Sequence, residues 1–307
     1  MSQRALVIGE ALVDVVHAAD GTVTEHPGGS PANVALGLAR LDRTAELATW
    51  FAPDEHGALL RAHLEASGVQ LVPGSDGAER TSTAVATLAA DGGASYVFDL
   101  TSHVPEVVLD DSIAVLHTGS IAATLHPSAE EITELCAAAR PHATISYDPN
   151  VRPTIMGEAD RVRRRIERLV AGADLVKVSD EDIAWLYPGQ DVADAVRRWA
   201  AAGPALVVLT RGASGSLGVT SAGVEVIVPA PLVRVVDTVG AGDSYMAGLI
   251  DGLWSADLLG ADRREQLHAM QAETVQTAMS HAARIAAIVV SRAGANPPTR
   301  NELEEPE

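Results

Sequence analysis

The chain has 307 residues, of which 47% are hydrophobic and only 3% are aromatic, and its formal net charge at pH 7 is −19. This length permits one large domain or two modest ones, each with an ample core. The strong negative charge and the presence of a single lysine, Lys177, argue against nucleic acid or an anionic membrane as a partner. An anionic substrate would therefore be held by a local pocket rather than attracted by the overall field.

Cysteine content and hydropathy exclude two further classes. Cys136 is the only cysteine, which rules out an intrachain disulfide and a cysteine-based zinc site. The N-terminal segment has a short apolar run instead of a signal-peptide core, and no apolar stretch is long enough for a membrane span. We expect a cytoplasmic protein.

Short apolar runs alternate with amphipathic stretches along most of the chain. The runs are typical of buried parallel strands, and the stretches between them are typical of helices. The predicted strands cover residues 5–8, 46–49, 113–116, 143–146, 175–178 and 206–210. The predicted helices cover residues 31–41, 55–66, 127–139, 159–171, 192–201 and 272–290. This alternation predicts a doubly wound, mostly parallel α/β sheet flanked by helices, with ligands bound at the carboxyl ends of the strands.

Two early segments interrupt this alternation. Residues 82–99 are predicted to form a hairpin around the turn Asp91-Gly92-Gly93. Residues 13–16 and 22–24 could pair beside that hairpin. Together they predict a small β-sheet that is separate from the main sheet.

We interpret the segments near 12–26 and 82–100 as a β-sheet lid over the ligand edge of the main sheet. A further hairpin is predicted from residues 215–220 and 224–228. No internal repeat or linker divides the chain, so we expect one domain over residues 1–307. The acidic tail from Glu302 is expected to fray.

The most informative motif is DTVGAGDSYMAG at residues 237–248. Its triplet Gly240, Ala241 and Gly242 precedes residues 244–254, whose apolar side chains recur at helical spacing. The free amides of such a turn and the positive end of the helix would bind a phosphoryl group. Asp243 would repel phosphate, but it could accept a proton from an attacking hydroxyl. The alternative is an ordinary capped helix start.

Other phosphate-binding motifs are absent. No lysine follows a glycine, which excludes a GxxxxGK[ST] loop, and the strand lysine and HRD loop of protein kinases are missing. The GxGxxG pattern of dinucleotide-binding enzymes is missing too. These absences leave a small-molecule kinase of another type.

A second glycine-containing motif is GGSPAN at residues 28–33. Gly28 and Gly29 permit close approach of a ligand, and Pro31 opens a helix whose first turn contains Asn33. The Asn33 amide could both donate to and accept from sugar hydroxyls. The alternative is a helix capped by Ser30, with Asn33 facing solvent.

Together, these two motifs resemble those of the ribokinase-like (PfkB-type) carbohydrate kinases, and the resemblance covers essentially the whole chain. Three further segments are similar to bacterial fructokinases, namely TGS at 118–120, SYDPNVRP at 146–153 and KVSDEDIAWL at 177–186. The resemblance implies a ribokinase-like fold with Asp243 as catalytic base and an anion hole formed by Gly240, Ala241 and Gly242. It implies that the sugar contacts Asp14, Gly28, Gly29, Asn33, Arg152 and Asp243. For Arg152, a surface turn built by Asp, Pro and Asn is the alternative.

The resemblance also implies sites for the nucleotide and for two kinds of cation. The nucleotide would contact Lys177, Ser179, Thr210, Gly212, Gly215, Gly240 and Gly242. Asp182 would organise Mg²⁺, with Glu181 as the alternative acid and a charged helix N-terminus as the structural alternative. A monovalent cation, K⁺ in relatives, would lie at Asp237, Val239, Ser291 and Gly294.

The sequence therefore predicts an ATP-dependent sugar kinase that uses Mg²⁺ and K⁺ and transfers the γ-phosphoryl group to a primary hydroxyl. Fructose is the predicted acceptor, with fructose 6-phosphate as the product. Ribose, 2-keto-3-deoxygluconate and a nucleoside are alternative acceptors, and a non-catalytic sugar sensor on the same fold is an alternative of another class. The exposed lid is a candidate surface for a homodimer through edge pairing.

Overall fold

A computed structural model describes residues 3–88 and 94–304 of the chain. Its strands are β1 (Arg4–Ile8), β2 (Leu12–His17), β3 (Val23–Gly28), β4 (Ala45–Ala48), β5 (Gln70–Leu71), β6 (Thr83–Leu88), β7 (Ala94–Asp99), β8 (Ile113–Gly119), β9 (Thr144–Asp148), β10 (Leu175–Ser179), β11 (Leu206–Thr210), β12 (Ser216–Thr220) and β13 (Glu225–Val228). Its helices are α1 (Ser30–Arg40), α2 (Glu55–Ala66), α3 (Ser128–Ala139), α4 (Pro153–Met156), α5 (Ala159–Gly172), α6 (Asp180–Leu186), α7 (Val192–Ala201), α8 (Ala241–Ser255), α9 (Arg264–His268), α10 (Ala272–Val290) and α11 (Arg300–Glu304).

The main sheet contains nine strands in the order β13-β12-β11-β10-β9-β8-β1-β4-β5. The central strands are parallel, whereas β12 and β13 form a hairpin that adds to the edge in antiparallel fashion. The predicted doubly wound sheet and its late hairpin are confirmed. The strand order places the carboxyl ends of β1, β8, β9, β10 and β11 along one edge.

Helices cover both faces of this sheet. Side chains alternate along β1, so Ala5 and Val7 pack in a core with α1, α8 and α10, while Leu6 and Ile8 pack in a second core with α3, α5, α6 and α7. All seven residues of β8 are buried. Burial on both faces explains why these strands read as continuous apolar runs in the sequence.

The predicted lid is confirmed as a separate four-stranded sheet in the order β3-β2-β6-β7. Its β2 strand pairs antiparallel with β3 and parallel with β6, and β6 pairs antiparallel with β7. The predicted turn Asp91-Gly92-Gly93 lies outside the described residues. The outer strands β3 and β7 leave Val23, Tyr96 and Val97 exposed.

The C-terminal expectation is wrong as far as Glu304, because α11 is helical there. Glu302 accepts hydrogen bonds from the Thr299 amide at 2.7 Å and the Thr299 hydroxyl at 3.0 Å, and it pairs with Arg292 at 2.6 Å. Among the described helices, none has both the length and the apolar character that crossing a bilayer requires.

Candidate active site

The glycine turn at residues 240–242 begins α8 at the carboxyl edge of the main sheet. Gly240 caps the helix with a left-handed φ of +74°. A Cβ at this position would lie 2.5 Å from the Cβ of Ala295, so both conformation and space favour glycine. The predicted helix start is confirmed, and in the structure the Ala241 amide donates to the Thr238 carbonyl at 3.3 Å.

Asp243 lies in the first turn of α8 and is only 7% exposed. The Ser30 hydroxyl donates to its Oδ1 at 2.7 Å, and Asn33 Nδ2 donates to its Oδ2 at 2.8 Å. Asn150 Nδ2 donates to Oδ1 at a longer 3.5 Å. The two glycine-containing motifs, which are far apart in sequence, therefore meet at one carboxylate.

The GGSPAN segment does not follow the alternative reading of a Ser30 cap. Gly29 is the N-cap of α1, with φ of +108° and no side-chain cap. A Cβ on Gly29 would collide with the carbonyl oxygen of Glu10. The Ser30 hydroxyl and the Asn33 amide are thus free to face Asp243 rather than the helix end or solvent.

Asp14 lies on the lid strand β2, opposite His26 of β3. Burial raises the pKa of Asp14, while the charges of His26 and Arg152 act to lower it. A Cβ on Gly28 would lie 2.5 Å from Asp14 Oδ2. The structure therefore places Asp14 beside Gly28 and within range of the Arg152 charge. Arg152 is itself exposed and donates to Asn150 Oδ1 at 2.7 Å, so it also takes part in the turn that we considered as its alternative role.

Lys177 on β10 is buried beneath the glycine turn. Its Nζ lies 3.0 Å from Asp148 Oδ2, and a Cβ on Gly242 would lie 3.0 Å from the same Nζ. Burial raises the pKa of Asp148 to about 6 although the Lys177 charge acts to lower it, and Asp182 and Asp243 add to the rise. Burial lowers the pKa of Lys177, but the surrounding carboxylates, Asp148 first, outweigh it and the net shift is upward. The proposed contact of Lys177 with nucleotide stays a prediction.

Asp182 lies in the first turn of α6. Its contacts are those of a charged residue at a helix N-terminus, which was the alternative to a role in Mg²⁺ binding. Its Oδ1 accepts from the Val151 amide at 2.8 Å, and its Oδ2 accepts from the Ser179 amide at 3.1 Å. The Ser179 hydroxyl accepts from the Asp182 amide at 3.0 Å, which completes a capping box. Glu181 is exposed, whereas Asp182 is buried. Within residues 3–88 and 94–304, no three acidic, histidine or cysteine side chains gather as a metal site.

The end of β11 and the loop after it contain the three predicted nucleotide contacts Thr210, Gly212 and Gly215. The loop forms a short 3₁₀ turn over Gly212–Ser214 and returns as β12. The Ser216 hydroxyl lies 2.8 Å from the Tyr245 hydroxyl, which ties the loop to α8. The predicted nucleotide loop is thereby fixed beside the glycine turn.

Asp237 connects the segment before the glycine turn to the segment after α10. Its Oδ1 accepts from the Val239 amide at 3.0 Å and its Oδ2 from the Gly294 amide at 2.8 Å. These hydrogen bonds lower the pKa of Asp237. Three of the four predicted monovalent-cation residues are thus brought together, while the Ser291 hydroxyl donates to the Ile288 carbonyl at 2.7 Å.

The sequence that forms this site matches a known family over almost its whole length. The sequence profile of the pfkB family carbohydrate kinases matches residues 2–302. The chain belongs to this family. A fructokinase of Rhizobium leguminosarum bv. trifolii is 35% identical to this chain over 268 residues. The matched region covers 83% of this chain and 81% of that protein.

Two solved structures extend this family likeness to the fold. A double-mutant fructokinase from Vibrio cholerae O395, in a form with bound fructose, ADP and potassium ion, has a TM-score of 0.77 at 26% identity, covering 95% of this chain and 94% of that one. Aminoimidazole riboside kinase from Salmonella enterica, complexed with aminoimidazole riboside and an ATP analog, has a TM-score of 0.78 at 25% identity, covering 98% of each chain. The ribokinase-like fold prediction is confirmed.

Two residues that contact Asp243, namely Ser30 and Asn150, are not among the contacts that the sequence predicts. Ser30 was considered only as a helix cap, although it precedes a proline that already fixes the helix start. Asn150 lies in the segment SYDPNVRP, from which only Arg152 is predicted as a contact. Its φ of +37° is unusual for a residue other than glycine and turns its amide toward Asp243. An Asp-Pro-Asn turn after a strand was the only sequence signal for this geometry.

Proposed function

We propose that this pfkB-family protein is an ATP-dependent sugar kinase that transfers the γ-phosphoryl group to the 6-hydroxyl of fructose. The observation that carries the proposal is Asp243, buried at the start of α8 and held by Ser30 and Asn33 directly behind the glycine turn. The 35% identity to a fructokinase supports fructose as the acceptor. Residues 1–307 would act as a single kinase unit. Its use of ATP also supports a cytoplasmic location.

Asp243 would accept the proton of the attacking hydroxyl as the oxygen bonds to phosphorus. Ser30 and Asn33 donate to different oxygens of its carboxylate, so they fix its plane without neutralising its charge. A base held in this way needs little reorganisation when the hydroxyl arrives. Fructose 6-phosphate and ADP would be the products.

Gly240, Ala241 and Gly242 would stabilise the charge on the transferring group. Their amides lie at the positive end of α8, and the Ala241 amide would exchange its 3.3 Å hydrogen bond with the Thr238 carbonyl for one with the phosphoryl group. Fixed donors in an enclosed site stabilise developing charge more than water does. In a chain whose only lysine is buried, these amides would supply much of the anion binding.

Asp14, Gly28, Gly29, Asn33 and Arg152 would line the sugar site between the lid and the main sheet. Thr210, Gly212 and Gly215 would form the nucleotide side together with Ser179 at the end of β10, and Lys177 would lie beneath them. Lid closure would exclude water, which otherwise competes with the sugar hydroxyl. Asp14 supports the sugar assignment because its exposed carboxylate, on the lid strand beside Gly28, can accept a hydrogen bond from a sugar hydroxyl.

Asp182 fits Mg²⁺ through water rather than directly. Each of its carboxylate oxygens accepts one backbone amide, which leaves a further lone pair on each for a metal-bound water. When bound with ATP, Mg²⁺ would offset charge on the β and γ phosphates. Asp237, Val239, Ser291 and Gly294 would hold K⁺ through carbonyl oxygens and stiffen the glycine turn.

The decisive experiment measures ADP formation with fructose, ribose, 2-keto-3-deoxygluconate and a nucleoside, with Mg²⁺ and with or without K⁺. We expect the highest kcat/KM with fructose and dependence on Mg²⁺. A preference for the nucleoside would favour the second candidate, which the similarity to aminoimidazole riboside kinase supports. Fructose binding without ADP formation would instead indicate a sensor and contradict the proposal.

The lid would also form a homodimer interface. Tyr96 and Val97 on β7 are 62% and 66% exposed, and Val23 on β3 is 50% exposed. These side chains lie on the two edge strands, which also have unpaired backbone groups. Sedimentation velocity over a concentration series would test the proposed dimer.

A further inference from the structure

Lys177 is unusual for both its type and its position. It is the only lysine among the 22 lysine and arginine residues. It is also the only one of those in the described ranges that is buried, at 3% exposure. A compact ammonium on a flexible stem differs from the planar guanidinium that the chain uses elsewhere. The position beneath the glycine turn therefore holds a compact positive charge that is almost excluded from solvent.

The first contact of Lys177 is with Asp148, which is connected to Asp243 through Asn150 in the segment after β9. Asp148 Oδ2 forms an ion pair with Lys177 Nζ at 3.0 Å, and Asp148 Oδ1 accepts a hydrogen bond from the backbone amide of Asn150 at 3.2 Å. Asn150 is held at φ +37° and directs its side-chain amide to Asp243 at 3.5 Å. The ion pair thereby anchors the turn that presents Asn150 to the carboxylate.

The second contact of Lys177 is with the glycine turn. A Cβ on Gly242 would lie 3.0 Å from Nζ, so the ammonium packs against the backbone at the start of α8. Asp243 follows Gly242 directly. Lys177 thus contacts both segments that flank Asp243, although it does not itself hydrogen-bond with that residue in the structure.

We propose that Lys177 is a positioning residue, whose ammonium, held by Asp148, fixes the Asn150 turn and the Gly242 turn on either side of Asp243. This inference rests on the proposed function for its kinetic consequence. It differs from a direct nucleotide contact, because the ammonium acts through Asp148 and the backbone at Gly242. Removing the charge would leave Asp148 buried without its cation and would loosen both turns.

The kinetic test compares Lys177→Met, Asp148→Asn and the double variant. Small displacements of catalytic groups can cost about 100-fold in rate, so we expect Lys177→Met to lower kcat by about 10- to 100-fold while KM for ATP changes less than about threefold. Because the two groups act as a pair, the double variant should be no slower than Lys177→Met and should melt at a higher temperature than it does. Arg164→Met, on the exposed face of α5, is the control for loss of a cation.

Two kinetic outcomes would overturn the proposal. A tenfold or larger rise in KM for ATP with unchanged kcat would assign Lys177 to nucleotide binding. Additive losses in Lys177→Met and Asp148→Asn would show that the two residues do not act as a unit. A wild-type protein without activity on any sugar would refute the proposed function instead, and the next measurement does not depend on activity.

The single lysine permits a direct spectroscopic readout. Protein grown with isotope-labelled lysine should give one set of side-chain NMR signals, that of Lys177. We expect Asp148→Asn to shift the Lys177 ε-methylene signal strongly, and a non-hydrolysable ATP analogue with Mg²⁺ to shift it less. If Asp148→Asn left the Lys177 signal unchanged, the two side chains would not form the ion pair on which the proposal depends. A larger shift from the ATP analogue than from Asp148→Asn would likewise contradict positioning through Asp148.

Discussion

The main sheet and the lid sheet are enclosed very differently. In the main sheet, every residue of β8 and β9 is buried beneath helices on both faces. In the lid, β3 is exposed over most of its length, and β7 exposes Tyr96 and Val97. The lid packs on the body mainly through alternate residues such as Val13 and Val15.

We interpret this difference in burial as a division of work in the proposed site, with the main sheet serving phosphoryl transfer and the lid serving sugar binding. Polar groups at the edge of the main sheet, such as Asp148 and Asp243, are fixed by neighbours on several sides, which suits phosphoryl transfer. Asp14 on the lid is exposed, which would suit the proposed closure of this surface on a sugar. We therefore expect substitutions in the body to affect turnover and stability, and substitutions on the lid to affect association or sugar binding.

The largest expected effect is at Asp243. Asp243→Asn keeps the size of the side chain but removes the base, so kcat should fall about 10²- to 10⁴-fold with a modest change in KM. Steady-state ADP release with fructose measures this. Asp111→Asn on the surface, with its side chain 93% exposed, is the matched control. Near-normal turnover in Asp243→Asn would refute the base assignment and the division of tasks with it.

The second effect concerns a buried histidine in the body. Burial, with a smaller contribution from Lys177, lowers the pKa of His117 to about 3. The unfolded chain, with an ordinary histidine pKa, binds a proton between about pH 6.5 and 3 that the folded protein does not. The free energy of unfolding should therefore fall by up to about 1.4 kcal/mol per pH unit as the solution is acidified through this window.

His117→Gln removes that contribution and should flatten the dependence of stability on pH over the same window. Urea unfolding at several pH values measures the slope. His126→Gln is the matched control, because it removes a histidine from the surface without altering the sheet interior. A His117→Gln profile parallel to that of the wild type would contradict the prediction.

A smaller effect is expected at the glycine turn. Gly240→Ala would combine a left-handed φ of +74° with a clash against Ala295, so we expect a loss of about 2 to 4 kcal/mol in unfolding free energy and a lower kcat. Gly223→Ala is the matched control, since Gly223 has φ +80° but open space around its Cβ position. Equal losses in both variants would show that strain alone, without the contact to Ala295, sets the effect.

The smallest effect on turnover is expected at the lid. Val97→Asp should weaken self-association about tenfold or more, because it would bury a charge in the proposed dimer, while kcat stays within about twofold. Sedimentation velocity and the fructose assay measure the two quantities. Val108→Asp, at an exposed valine outside both sheets, is the control. A large fall in kcat with unchanged self-association would instead show that the lid contributes to catalysis and not to a dimer interface.

Much of the architecture was predictable because its signals are local. The apolar runs of β1, β10 and β11 and the helices between them were predicted within a few residues. The short α6 was not predicted, since a seven-residue helix has too few turns for a periodic pattern. The ordered end at α11 was missed because it depends on Glu302 contacting Arg292 and Thr299.

The site was predictable where a motif contains its own chemistry. The glycine turn and Asp243 are adjacent in sequence, so their roles could be inferred together. The contacts of Ser30, Asn33 and Asn150 with Asp243 join three distant segments, and no local pattern encodes their distances. The capping geometry of Asp182 is local, yet only the structure shows that its second partner is Val151.

The sequence by itself determined the class of fold, the glycine turn at the start of a helix and the acid directly after it, because these follow from residue type and spacing along the chain. Tertiary structure alone decided which donors hold Asp243 and that Lys177 is buried against Asp148 and Gly242. Side chains on strands separated by long crossovers meet only when the sheet assembles. Their hydrogen bonds and ion pairs are therefore properties of the packed sheet edge rather than of any one segment.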